Sequence, residues 1–213
     1  MRKFKQGFTL AEMLVTIGLI GFISLVLIST MKNIQPNKEK LMLKKAFHTA
    51  QRLVAEIAND EELYPEPEDR EEGKWYLANT EAVTDPLTGK VVSGKTKFCE
   101  IFKARMNVVK DVNGCTGSGT ATINNRYFET TDGVHWKINY SEFTNINVGV
   151  SIQIDVNGSK GRNASYSATN PKPDRFWFKV FPNGKVIPDG STSLQRSQIK
   201  EYLYDGKIVN EAK

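Results

Sequence analysis

The chain has 213 residues, 39 % apolar and 25 % charged, which excludes a disordered polypeptide and fits one folded domain plus a long N-terminal element. Its formal charge of +5 invites a nucleic-acid reading, yet Arg2, Lys3 and Lys5 supply three of those charges ahead of the first apolar run. The acidic block DEELYPEPEDREE at 60–72 counts further against a general polyanion-binding surface, so no general nucleic-acid binding is expected.

The first predicted element is the apolar run at 8–31, which contains one charge, Glu12, and no proline. As a helix it measures about 36 Å, against about 30 Å of bilayer hydrocarbon. The basic flank predicts an N-terminus kept in the cytoplasm and export of everything beyond the run. A cleaved secretory signal would have a shorter apolar core and a small-x-small cut site, which LISTMKN does not offer. A soluble amphipathic helix would show a stripe, whereas Leu10, Met13, Leu14, Ile17 and Leu19 surround the axis. A plain anchor accounts for the length and leaves Glu12 without a reason.

The order of residues supplies one. KQGFTLAEMLVTIGLIG closely resembles the N-terminal signal of type IV prepilins and of the pseudopilins of type II secretion systems: basic leader, Gly7, Phe8, Glu12 and apolar run are all in place. The resemblance implies that a prepilin peptidase cuts between Gly7 and Phe8 and methylates the new amine of Phe8. It also places the family's glutamate at Glu12. The implied partners are that peptidase, homologous pilin or pseudopilin subunits in a helical filament, and an inner-membrane assembly platform. The implied location is the bacterial cytoplasmic membrane, crossed once, with the C-terminal domain periplasmic or extracellular. One departure is Ser29, where many members carry a proline; the first proline here is Pro36.

Elementary electrostatics gives Glu12 a task within that scheme. Cleavage leaves a charged amine on Phe8, because α-amines are largely protonated near neutrality. An isolated charge in the apolar zone costs up to about 3 kcal/mol at mid-membrane. A neighbouring subunit displaced along the fibre would set its amine against Glu12, so that each charge neutralises the other. Buried ion pairs serve register better than stability, and Glu12 is therefore expected to set subunit stagger.

Beyond the membrane, Leu43, Phe47, Ala50, Val54 and Ile57 recur at helical spacing, with Ala46 and Leu53 widening the stripe. This predicts one long spine helix from residue 8 to about 59, with a possible kink at Pro36. The acids and prolines of 60–72 read as a solvated loop. Weak helical potential at 98–106 precedes the glycine-rich NGCTGSGT. From Tyr127 the pattern turns to strands: a hairpin with Asp132-Gly133 at its turn, the alternating VGVSIQIDV, and RFWFKVF closed by Pro182-Asn183-Gly184. In the tail, Leu194, Ile199, Tyr202 and Leu203 form at most one packed turn. The expected class is α+β and pilin-like, a spine helix against a small antiparallel sheet with one apolar face. Its parts are a cleaved leader 1–7, a transmembrane and assembly helix 8–31, an exported half-spine 32–59, a loop-rich region 60–126 and a β region with tail 127–213.

Cys99 and Cys115 are the only cysteines. Export would expose them to an oxidising compartment, where a bridge between them is expected; two buried thiols are the alternative. DVNGSKGRN alternates oxygen donors at Asp155, Asn157 and Ser159, which raises calcium, but it lacks the EF-hand glycine and glutamate positions. Tight-turn chemistry explains it without a metal. No metal ligand, cofactor or catalytic residue is assigned. His48 reads as helix surface and His135 as part of the hairpin, and neither has a nucleophile or base beside it in sequence. The expected function is that of a structural filament subunit. A single-pass anchored binding domain or enzyme with an uncleaved N-terminus is the alternative.

Overall fold

A computed structural model of the chain describes residues 9–34, 37–65, 76–115, 123–139, 143, 147–170 and 172–205. It divides into an N-terminal unit, Met1–Lys38, and a larger unit, Glu39–Lys213. The N-terminal unit is helix α1, Leu10–Ile34; helix α2, Lys38–Ala58, follows. The spine, expected as one helix with a possible kink at Pro36, is described as two helices with Asn37 outside both. Pro36 supplies the reason, since it offers no backbone donor and disfavours helical geometry in the residue before it.

The stripe predicted for α2 is its buried face: Leu43, Ala46, Phe47, Ala50, Leu53, Val54 and Ile57 are all buried. Lys45, Arg52 and Glu56 are exposed, as is His48. The acidic block is described only as far as residue 65, and within it Leu63 and Tyr64 are buried instead of solvated. A two-stranded ribbon, β1 (Val83–Thr84) with β2 (Val91–Val92), encloses the TDPLTGK turn. Helix α3, Lys97–Ala104, fulfils the weak helical signal.

The main sheet runs in chain order through β3 (Val108–Val112), β4 (Tyr127–Thr130), β5 (His135–Ile138), β6 (Val150–Asp155), β7 (Arg175–Val180) and β8 (Val186–Asp189). All neighbours are antiparallel. The sheet starts upstream of Tyr127, because β3 was not legible. β3 is an edge strand with a register shift between Val108 and Lys110, and Val109, Lys110 and Asp111 are exposed. Bulges and charge on an edge discourage pairing with other chains, and the same features blur alternation.

Register builds the core in rows. Phe128, Trp136, Ile154 and Phe176 stand opposite one another across β4–β7; Ile138, Ile152, Phe178 and Pro188 do so across β5–β8. Phe47 of α2 meets Phe178 edge-on, with centroids 5.0 Å apart. The expected hairpin turn is present, with Gly133 at φ +80° where a side chain would be strained. Thr130 Oγ1 donates to Asp132 Oδ1 at 2.6 Å and accepts from Trp136 Nε1 at 3.2 Å.

The tail is more ordered than expected: Ser193–Tyr204 form helix α4. Thr192 caps it by accepting from the Gln195 amide at 3.2 Å, and Gln195 Oε1 accepts from Ser191 N at 2.9 Å. Ile199, Tyr202 and Leu203 are buried, whereas Leu194 is exposed. Asp205 ends the helix in the left-handed region and pairs with Lys40 at 2.8 Å and Lys44 at 2.6 Å. Hydrogen bonds from these lysines hold its carboxyl down to about 2.

One buried charge opposes the fold. Lys97, only 1 % exposed, has an ammonium without a hydrogen-bond partner, 4.4 Å from the Tyr64 ring centre. Burial drives its pKa down to about 8, against the pull of Glu81. A lysine bound less tightly to its proton when folded costs stability below that value, and the cost fades as pH rises toward the unfolded value of about 10.4. Lys97→Met is therefore expected to stabilise the chain by about 1–3 kcal/mol at neutral pH, offset in part by the lost cation–π contact. Urea titrations at neutral and alkaline pH check this; the advantage must shrink on the alkaline side.

Candidate functional site

The candidate site is the start of α1, where the sequence places its one charge in an apolar run. Thr9 lies just before the helix and Glu12 in its first turn. Glu12 Oε2 accepts from both Thr9 N and Thr9 Oγ1 at 2.9 Å, and Thr9 Oγ1 accepts from Glu12 N at 3.3 Å. This is a capping box, the reciprocal arrangement that a T-x-x-E spacing allows at a helix start. It anchors the carboxylate at the positive end of the helix dipole. The sequence carries this signal as Thr9-Leu-Ala-Glu12.

None of Leu10–Leu27 is buried, and Leu10 and Phe22 are 81 % and 66 % exposed. Thr16 Oγ1 donates to Met13 O at 2.9 Å and Ser24 Oγ to Ile20 O at 2.8 Å, so these hydroxyls are satisfied within the helix. Among the described residues this is the one helix long and apolar enough to cross a membrane, judged by length and composition. Gly7 and Phe8, the expected cleavage pair, lie outside the described residues.

Cys99 and Cys115 form a disulfide, with Cα atoms 5.5 Å apart and both residues buried. It ties α3 to the chain just beyond β3. DVNGSKGRN forms the turn that leaves β6. Asp174 organises it by accepting from the backbone amides of Arg162 and Asn163 at 2.8 Å and of Ala164 at 2.7 Å. Asp155 Oδ2 already accepts from Arg175 Nε at 2.8 Å, so its carboxylate faces a cation of the chain itself. Among the described residues no group of three His, Cys, Asp or Glu is placed to hold a metal ion. His135 is buried and stacked on Tyr127 at 3.9 Å, 3.6 Å from Glu129.

Residues 2–28 match the family described as Prokaryotic N-terminal methylation motif, the prepilin-type signal of type IV pilins and pseudopilins. No curated protein and no solved structure matches the chain. The α+β layout, an apolar N-terminal helix followed by further helices and an antiparallel sheet, is consistent with a pilin-like fold. The motif supports a pilin- or pseudopilin-like precursor and a structural rather than catalytic protein. It implies processing by a prepilin peptidase, assembly with other pilin subunits, and membrane anchoring.

Proposed function

We propose that the chain is a structural subunit of a type IV pilus-like filament or type II secretion pseudopilus. In this reading the peptidase removes residues 1–7 by cutting between Gly7 and Phe8, and Phe8 is N-methylated. Residues 8–31 hold the subunit in the cytoplasmic membrane with its N-terminus on the cytoplasmic side. The domain beyond them lies outside the cytoplasm until an inner-membrane platform draws the subunit into a helical filament. Such a filament serves protein secretion, adhesion and motility, or DNA uptake.

The observation that carries the reading is a capped carboxylate, Glu12, at the head of a helix in which none of Leu10–Leu27 is buried, inside the stretch that matches the methylation motif. A soluble protein has no use for such a helix surface; lipid and then neighbouring subunits cover it. Co-expression with a prepilin peptidase is expected to yield a mature chain lacking MRKFKQG and carrying one methyl group on Phe8, read by intact-mass and N-terminal peptide spectrometry. An unchanged N-terminus would assign the helix to a simple anchor.

A further inference from the structure

The register of the sheet aligns five ionisable residues in one row: Lys110, Glu129, His135, Asp155 and Arg175 stand directly opposite one another across β3 to β7. Alternation along each strand turns this row away from the neighbouring row of Phe128, Trp136, Ile154 and Phe176. Asn124, Tyr127, His135, Asp155, Asn163 and Arg175 line a polar cavity of about 100 Å³ beneath the turn at 156–164. Gly158 closes it so tightly that a Cβ there would lie 2.9 Å from His135 Nε2.

Two buried acceptor oxygens at the end of β6 and in this turn have no hydrogen-bond partner. Asp155 is 1 % exposed, and although its Oδ2 accepts from Arg175, its Oδ1 is buried without a partner. Asn157 Oδ1 is also buried without a partner, while its Nδ2 is engaged with Asp174 Oδ2 at 3.4 Å. An ionised carboxylate and an amide oxygen accept only, and two such atoms left unpaired carry a desolvation cost. One proton on Asp155 Oδ1 turns that oxygen from an acceptor into a donor.

We propose that Asp155 is a proton-binding site, and that taking up one proton from mildly acidic surroundings locks the turn at 156–164 onto the sheet. The charges around it set where the proton goes. Burial raises the Asp155 carboxyl to about 6; the Arg175 bond and charge oppose this, Asp174 adds to it, and the Asn157 amide opposes it. His135 is the competing acceptor. Burial holds its imidazole below the ordinary value despite Glu129 at 3.6 Å, and Lys110 and Arg175 push the same way. A carboxyl whose folded pKa lies above the unfolded value of about 3.9 binds its proton more tightly when folded. Its contribution to stability thus grows as pH falls through the folded value and is complete below the unfolded one.

The test uses the full chain in detergent micelles, with carbon NMR of the Asp155 carboxyl and thermal unfolding at about pH 7.5 and about pH 5. The carboxyl is expected to titrate near 6, and the wild-type midpoint to rise on acidification by about 4 °C more than that of Asp155→Asn. Asp155→Asn, whose amide supplies donors permanently, should melt no lower than wild type at the higher pH, and His135→Gln should keep the acid response. A carboxyl that titrates at an ordinary value, a response abolished by His135→Gln, or an Asp155→Asn midpoint below wild type at the higher pH overturns the proposal. So does a midpoint raised by calcium at the higher pH, which would make the unpaired oxygens metal donors.

Discussion

Glu12→Gln and Glu12→Leu are expected to insert into the membrane and lose the leader normally, yet to yield no filaments in a shearing assay. The two substitutions separate the capping role that the geometry shows from the proposed role in subunit register. Glu12 Oε2 caps the helix through Thr9 N and Oγ1, and glutamine serves almost as well in that position of a capping box. If capping were the whole of its function, Glu12→Gln would assemble like wild type and only Glu12→Leu would fail. If the charge answers the amine of Phe8 on a neighbouring subunit, both variants leave that amine unpaired in an apolar setting. Removing one member of a desolvated pair costs about 3–5 kcal/mol. Even the lower figure weakens each subunit addition more than about 100-fold. Normal filaments from Glu12→Gln would end the register hypothesis and leave Glu12 as a cap.

How much of this could be read from residues alone follows from the period of each signal. The α2 stripe and the alternation of VGVSIQIDV were legible because burial repeats every three to four residues in one and every two in the other. Val150, Ile152 and Ile154 are buried as alternation requires. The same logic misplaced the far end of that strand: Asp155 sits on the polar face by count but is buried, because the turn at 156–164 folds over it. Long-range cover of this kind leaves no local trace. β3 escaped for the opposite reason, as an exposed and bulged edge has little alternation to read. The capping box at Thr9 and the N-cap at Thr192 are both written locally, as Thr-x-x-Glu and Thr-x-x-Gln spacings. The interruption at Pro36 was foreseen as a kink, and the structure ends one helix before it and begins another after it.

The sheet's hold on α2 rests heavily on one contact, and Phe178→Ala is expected to destabilise the folded domain by about 3–5 kcal/mol. Phe178 is fully buried in β7, opposite Ile152 and Pro188. Its ring meets Phe47 of α2 edge-on at 5.0 Å, an arrangement that adds about 0.5–1.5 kcal/mol beyond the area buried. Truncation removes that ring from a site bounded by strands on both sides, where the backbone cannot collapse to refill the space. A domain stable by about 5–15 kcal/mol would lose a large share of its margin. Trp177→Ala, one position along, is the control: Trp177 points to the opposite face and is only partly buried, so its loss should cost less. Urea midpoints of the two variants, with a Phe47→Ala and Phe178→Ala double-mutant cycle, give the measurement. Equal costs for Phe178 and Trp177, or strictly additive losses at Phe47 and Phe178, would mean that α2 is held by the remaining stripe and not by this aromatic pair.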